Sequence, residues 1–476
     1  MQCLNDGCAV YHLSRVSAAT HRDANQLDAS SQHCDTDLDT DVLVIGGGPA
    51  GSTAATFLAR KGWRVLLVEK DRHPRFHIGE SLLPMCMSIF DRLGVAESVK
   101  RIGVVKRGAD FPAANERGYS VFRFSNMLRP VCDHAYQVKR EEFDQLLFEH
   151  ARAQGVQTIE KCRIEHVSFD NDRVLAQASM QDGATKTIEA RITARYLVDA
   201  SGRDTFLGST LRLKKRLHKH QSAALFGHFK GVELRDGEDA GNISIYRFEH
   251  GWVWVIPLRD GVSSIGAVCN PEYLKQRTSD TAEFLLSTLH NVESLAQRLR
   301  SAQLVGNVHA TGNYSYECDR WYGPRWLMVG DACAFLDPIF STGVYLAMHG
   351  AECASTTVDA ILRQAGSELT LQKKYQRELA RGVKRFSWYI HRFTSPAMGW
   401  LFANPRNRLG VEQAMISMLA GDVFDSPGVL LRLHIFRSLY YLRVLRTIKQ
   451  SFHNFVVKRK QMRAVFVGDT TRADPR

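Results

Sequence analysis

The sequence predicts an α/β protein, a doubly wound parallel sheet with an inserted antiparallel-sheet lobe and a helical C-terminal region. Three observations carry this. DVLVIG (residues 41–46) is an apolar, β-branched run ending in glycine; the helical pattern PAGSTAATFLARKG and a second apolar run, RVLLVEK, follow it, and together they make the βαβ opening of a parallel sheet. Between residues 206 and 310, apolar and polar residues alternate in GHFKGVEL, ISIYRF, WVWVIPL and VSSIGAVC, as in antiparallel strands. After Glu368 nearly every segment carries apolar residues at helical spacing.

Taken in order, residues 1–39 are polar and rich in Asp, Ser, Thr and Gln, and read as a flexible leader, with folding starting near Thr40. A discontinuous nucleotide-binding domain is expected over residues 40–205 and 311–365, the antiparallel lobe over 206–310 and the helical region over 366–476. Within the first, REEFDQLLFEHARAQ has helical spacing and short strands follow between Val156 and Val198. RWLMVGDA is a strand ending at a loop, and GVYLAMHGAECASTTVDAILRQ continues as a helix.

A chain of 476 residues, 44% hydrophobic and 24% charged, has the composition of a globular protein with a large core, which excludes a mostly disordered one. No apolar run reaches the roughly 18 residues of a spanning helix, and the N-terminus lacks a basic segment followed by an apolar one; both place the protein in the cytoplasm. The cysteines are scattered without a CxxC pair, and Cys269 and Cys333 sit in apolar segments, so neither zinc nor a disulfide framework is expected. The net charge of +12 is concentrated late, with no acidic residue from Arg437 to Arg463. Such a basic stretch suits nucleic acid, membrane headgroups or an acidic protein partner; without a nucleic-acid motif it reads equally as a solvated helix face.

Gly46, Gly48 and Gly51 fit GxGxxG between a strand and a helix, with Glu69 closing the second strand. Gly46 permits the tight turn, Gly48 lets the backbone approach a pyrophosphate, and Gly51 allows close helix–strand packing. The helix N-terminus, opened by Pro49 and Ala50, attracts the anionic diphosphate, and Glu69, with Lys70 beside it, faces the ribose. FAD and NAD are both compatible with this site. Farther on, Ser341, Thr342 and Gly343 open a helix after the loop carrying Asp331, so free backbone N–H groups are expected to face a flavin ring or an anion.

LVDASGR (197–203) and WLMVGDACAFLDPIFSTG (326–343) resemble the second and third fingerprints of FAD-dependent aromatic hydroxylases, as YQVKREEFDQLL (136–147) resembles another segment of that family; with the glycine motif, four motifs stand in the family's chain order, and the likeness covers roughly residues 40–350. The resemblance implies FAD as cofactor, with Asp331 on the ribityl chain, Arg140 beside the cofactor, and Asp199, Pro338 and Gly343 among its contacts.

The segment Trp252-Val253-Trp254-Val255-Ile256-Pro257 resembles the WxWxIP motif of flavin-dependent halogenases. On a strand, positions 252, 254 and 256 share a face, so two indoles line up; in a plain β-lobe the same pair would be core. The resemblance implies that the indoles keep organic substrate from the flavin hydroperoxide while halide, held near Ser341, Thr342 and Gly343, reacts to give hypohalous acid. GVVKRGADF resembles the segment of phenol and pyrrole halogenases that holds a catalytic lysine, here Lys106, which must be desolvated to hydrogen-bond hypohalous acid or form a haloamine. RFHIGESLLP (75–84) is similar to the halogenase loop that crosses the flavin, with Glu80 and Ser81 as its polar candidates. Where tryptophan halogenases carry a glutamate before SerThrGly, this chain has Phe340. The expected substrate is therefore a phenol- or pyrrole-type ring, free or tethered to an acyl carrier protein; reduced FAD comes from a separate reductase, and O2 and chloride or bromide are consumed. An aromatic hydroxylase, a prenyl double-bond reductase and a non-catalytic flavoprotein are the alternatives. The aromatic clusters near FSWYIHRF and AGDVF are expected to cover the mouth of the site.

Overall fold

The computed structural model describes residues 36–113, 118–170, 172–182, 186–216, 222–312, 315–424 and 426–446. Most of the leader and of the basic C-terminal stretch lie outside these residues. The first strand, β1 (Thr36–Ile45), begins inside the segment read as leader. Its first four residues alternate half-buried and exposed, with Asp37 and Asp39 facing water, so their polarity hid a strand paired residue by residue with a later one.

Helix α1 (Pro49–Arg60) and β2 (Val65–Val68) complete the βαβ unit. The chain then gives β3 (Val104–Lys106), β4 (Gly108–Pro112), β5 (Tyr119–Arg123), β6 (Ala135–Gln137), α2 (Arg140–Ala153) and β7 (Gln157–Ile159). β8 (Cys162–Phe169), β9 (Val174–Asp182) and β10 (Lys186–Asp199) follow. Next come β11 (Ala223–Lys230), β12 (Ile243–Phe248), β13 (Gly251–Pro257), β14 (Val262–Cys269), α3 (Thr281–His290), β15 (Gln303–Thr311) and β16 (Trp326–Met328). The long helices α4 (Thr342–Leu362), α5 (Glu368–Ile390) and α6 (Pro427–Arg446) come last.

The parallel layer has the order β16-β10-β1-β2-β7, with β9 antiparallel on β10 and β8 on β9. Val42 to Ile45 and all of β2 are buried, which is why both read as continuous apolar runs: helices cover both faces of such a sheet. Gly51 on α1 is where helix meets strand. A Cβ there would lie 1.8 Å from the Gly46 carbonyl oxygen, so only glycine permits this approach.

The second sheet has the order β15-β11-β14-β13-β12-β4-β5, antiparallel except for β12 beside β4. It recruits β4 and β5 from residues the sequence reading assigned to the nucleotide-binding domain; Ile243 pairs with Ala109 across that junction, a long-range contact with no local signature. At the centre of this sheet, β14 is buried at every position, while the edge strand β15 is largely exposed. Val253, Val255, Ile265 and Ala267 pack against Leu285 and Leu289 of α3. The opposite face joins Trp252, Trp254 and Ile256 to an apolar cluster that includes Phe386, Tyr389, Phe393 and Leu419. The C-terminal helices therefore back the sheet.

Candidate functional site

A cavity of about 770 Å³ opens at the carboxyl ends of the parallel strands, where Ile45, Val68, Ala200 and Val329 follow or end β1, β2, β10 and β16. This is where open α/β sheets bind ligands, and the volume lies within the usual 300–1,000 Å³ of a small-molecule site.

At one end the turn from β1 into α1 forms an anion cradle. Gly46 sits at φ +103°, and a Cβ there would strike the Ala200 carbonyl. Gly48 caps α1 with no side-chain hydrogen bond, and Pro49 follows, so the first N–H groups of the helix are left for a ligand. Glu69 is held at the end of β2: Gly47 N–H donates to its Oε2 (2.8 Å), Asp71 N–H to its Oε1 (3.0 Å), and an Arg75 amino group lies 3.2 Å from Oε2. Lys70 lines the same end, paired with Asp204.

Linked to Glu69 through Arg75, the fully buried Asp144 makes a two-pronged ion pair with Arg140 (2.8 and 3.0 Å), which also donates to the Ile78 carbonyl (2.7 Å) and so ties the 75–84 loop over the cavity. Desolvation pushes the Asp331 carboxyl up to about 6, with Arg140 and Arg203 pulling it back. Burial drives the His77 imidazole down to about 4, aided by the charge of Arg140, so that this wall residue is neutral at pH 7. Ser341 takes a left-handed backbone (φ 57°) at the start of α4 and makes no capping bond with its side chain. Nothing lies within 4 Å of a Cβ built on Gly343, so this helix N-terminus also faces open space.

The indoles of β13 form part of the cavity wall. Trp252 and Trp254, each 4% exposed, lie with ring centroids 5.7 Å apart, and both line the cavity. Trp254 Nε1–H donates to Ser264 Oγ (3.2 Å), while Gly266, its register partner on β14, leaves room for the ring. A Cβ on Gly266 would fall 2.4 Å from two indole carbons. Gly266→Ala is therefore expected to displace Trp254 and to cost about 1–3 kcal/mol of overpacking; a lowered urea midpoint is the readout, and an unchanged midpoint would show that the indole is not pinned there.

Behind Ser81, which lines the cavity, Lys106 on β3 is 2% exposed, its ammonium nitrogen 2.9 Å from both Ser81 Oγ and the Leu82 carbonyl and 5.4 Å from the Phe124 ring centre. Burial pulls this amine down to about 7. Ser81 itself lines the cavity, as does Glu80, whose Oε1 meets His228 Nε2 at 2.8 Å and whose Oε2 is buried with no hydrogen-bond partner among the described residues. Burial works against charge on His228, but the hydrogen bond and charge of Glu80 outweigh it and raise its pKa.

Of the residues singled out from sequence, Gly46, Gly48, Pro49, Ala50, Glu69, Lys70, Glu80, Ser81, Arg140, Trp252, Trp254, Asp331, Pro338, Ser341 and Gly343 line this one cavity. Four do not. Gly51 packs α1 on β1, as its spacing requires. Lys106 stands one side chain behind the wall. Asp199 turns inward, with both carboxylate oxygens accepting from the Ser201 and Leu207 N–H groups (2.9 and 2.8 Å), so it holds the loop after β10 and does not line the cavity. Thr342 is buried away from the cavity, because Gly343, Val344 and Ala347 occupy the helix face that points there. The expected cover over the mouth is also corrected: among the described residues none after Ala347 lines the cavity, and Phe393 and Phe402 pack instead against Phe111, Phe122 and Phe340. Arg75, which bridges Glu69 and Asp144 with its Nε buried and unpartnered among the described residues, was not foreseen. Its position in a polar loop carries no periodic signal.

The turn at Gly48, where a Cβ would meet only an Arg75 nitrogen at 3.6 Å, the uncapped α1 N-terminus and the carboxylate at the end of β2 fit the diphosphate and ribose of FAD. Residues 39–386 match the FAD binding domain family. A flavin-dependent halogenase of Penicillium aethiopicum is 33% identical over 375 residues, 72% of this chain and 69% of that one. The chain belongs to the flavin-dependent halogenases. A tryptophan 2-halogenase of Chondromyces crocatus is 37% identical to this halogenase-family chain over 345 residues, 71% of it and 64% of the relative's own length. Among solved structures, a flavoprotein/dehydrogenase from Cytophaga hutchinsonii is similar over 86% of this chain and 100% of that one, at 27% identity and a TM-score of 0.79. FAD is the cofactor of this family member, and among the described residues no helix is long and apolar enough to cross a membrane.

Proposed function

We propose that this family member halogenates an electron-rich aromatic ring of the phenol or pyrrole type, using reduced FAD from a separate reductase. One arrangement carries the reading: paired indoles stand in the cavity wall, and Ser81 in the same wall accepts a hydrogen bond from a desolvated lysine behind it. Reduced FAD, when bound with O2 and chloride or bromide, supplies hypohalous acid. The α1 N-terminus and Gly48 hold the diphosphate, Glu69 the ribose, and the backbone around Ser341 and Gly343 the halide. Trp252 and Trp254 exclude an organic ring from the cofactor side while a small species passes. Lys106, free as an amine in part of the population near pH 7, takes up the halogen and hands it to the substrate. The balance is ring C–H plus hypohalous acid giving ring C–halogen plus water.

Phe340, stacked and edge-packed among Phe393 and Phe402, supplies no base at its position, which supports a ring activated by its own oxygen or nitrogen. The basic C-terminal region supports an acidic acyl carrier protein as one source of tethered substrate. The test is product mass spectrometry with FAD, a flavin reductase, NADH and either bromide or chloride, over phenols, pyrroles and, because of the Chondromyces relative's name, tryptophan. Halogen isotope patterns on the phenols or pyrroles are expected. Hydroxylated products without halogen overturn the activity, and halogenation of tryptophan alone overturns the substrate class.

A further inference from the structure

The helices α4 and α5 bring together a group of side chains that the halogenation chemistry does not use. His349 and Cys353 lie one turn apart on α4, on the same face, and Glu378 reaches them from α5. Their ligand atoms all lie within 4.8 Å of one another; Cys353 Sγ is 3.8 Å from His349 Nε2 and 4.0 Å from Glu378 Oε1. Zinc bonds of about 2.3 Å to sulfur and 2.0–2.2 Å to nitrogen or oxygen give tetrahedral edges of roughly 3.3–3.7 Å. The two distances from Cys353 Sγ therefore need to shorten by only a few tenths of an ångström around an ion, and the imidazole and carboxylate, within 4.8 Å of each other, by at most about 1.5 Å.

We propose that His349, Cys353 and Glu378 bind a zinc ion. A thiolate and a carboxylate neutralise its two charges, and imidazole completes a nitrogen–sulfur–oxygen set suited to this borderline-soft metal. The imidazole is already oriented, packed against the Phe424 ring (4.4 Å between centres) and the Tyr345 ring (5.7 Å). His349 also lines a cleft of about 300 Å³, which gives a route of entry and room for a water as fourth ligand. The nearby Glu352 is held elsewhere, in a two-pronged pair with Arg92 (2.6 and 2.8 Å). The sequence argued against zinc because no cysteines fall in a CxxC pair; here the ligands lie on two helices, with Glu378 twenty-five residues beyond Cys353. The ion would clamp α4, whose first turn faces the FAD cavity, to the helix leading into the C-terminal region.

The test uses the full-length, FAD-loaded protein, stripped with a chelator and titrated with zinc, and separately with cobalt as a spectroscopic probe. One equivalent of zinc and a thiolate-to-cobalt charge-transfer band are expected. Cys353→Ser should remove the band and weaken zinc binding about 10- to 100-fold or more, since even residues outside a metal's ligand set carry effects of that size, while FAD binding is retained. Should the variant fail to fold, protection of Cys353 in the unmutated protein against iodoacetamide, read by peptide mass, decides the matter: zinc is expected to slow its alkylation. Less than half an equivalent of zinc, binding indifferent to Cys353→Ser, or alkylation of Cys353 at the same rate with and without zinc overturns the site.

Discussion

Lys106→Met is expected to lower halogenation by about 100- to 10,000-fold, the range of a positioned acid–base or nucleophilic group, with FAD binding intact because the lysine does not line the FAD cavity. Methionine keeps the length and apolar contacts of the side chain and removes the nitrogen that Ser81 and Leu82 accept from. Lys106→Arg tests which form of the amine works. Guanidinium stays protonated, so it keeps a hydrogen-bond donor but offers no free amine, and it too is expected to be inactive. The pH profile of the unmutated protein should accordingly rise through about 7, as the ammonium loses its proton. A falling limb there would assign the ammonium the catalytic part. Stability carries a second signature. The folded amine titrates near 7 and the model-compound amine at 10.5, so between these values the unfolded chain binds a proton that the folded chain does not. Stability therefore rises with pH across that window. The burial cost, on the order of 5 kcal/mol from that difference, is present in full below pH 7 and gone above 10.5. Lys106→Met removes this slope, and urea denaturation at a series of pH values reads it.

How the site was legible follows from what each residue needs from its neighbours in sequence. Gly46, Gly48, Gly51 and Glu69 belong to one βαβ unit, where strand, turn and helix fix spacing locally, and the structure places them as that geometry demands. Trp252 and Trp254 were legible through the twofold period of a strand, which sends both to one face whatever the sheet packs against. What the pattern could not supply was long-range pairing. Only the fold shows that β4 joins β12 in the second sheet, or that Lys106 meets Ser81 twenty-five residues away. Alternation revealed the antiparallel pairing of the second sheet but not what covers it. With helix α3 on one side and the C-terminal helices on the other, both faces of its central strands β13 and β14 are buried, and serines such as Ser263 and Ser264 sit inside without marking a wet surface. Asp199 illustrates a different limit: a carboxylate at the end of a strand can serve a ligand or the loop beyond it, and sequence spacing is the same for both.

Gly48→Ala and Gly51→Ala are expected to fail for different reasons, and the contrast locates the diphosphate. At Gly51 a Cβ would lie 1.8 Å from the Gly46 carbonyl oxygen and 3.3 Å from the Ala200 side chain. The obstacle is backbone, so α1 must lift from β1, and Gly51→Ala should destabilise the protein with or without FAD, by more than the about 1–3 kcal/mol of ordinary overpacking. At Gly48 the backbone is extended (φ −77°, ψ −172°), and the nearest atom to a new Cβ is an Arg75 nitrogen 3.6 Å away. The FAD-free Gly48→Ala protein should therefore unfold within about 0.5 kcal/mol of the unmutated one. Its added methyl occupies the space through which a diphosphate would approach the α1 N-terminus, and a clash of about 1–3 kcal/mol there weakens FAD roughly 5- to 150-fold. Because FAD stabilises only the folded state, its upward shift of Tm should shrink in Gly48→Ala by a matching amount at fixed FAD concentration. Titration of FAD followed by flavin fluorescence gives the dissociation constant directly. If Gly48→Ala binds FAD as tightly as glycine does, the diphosphate does not cross this turn, and the open space above Gly48 has another occupant.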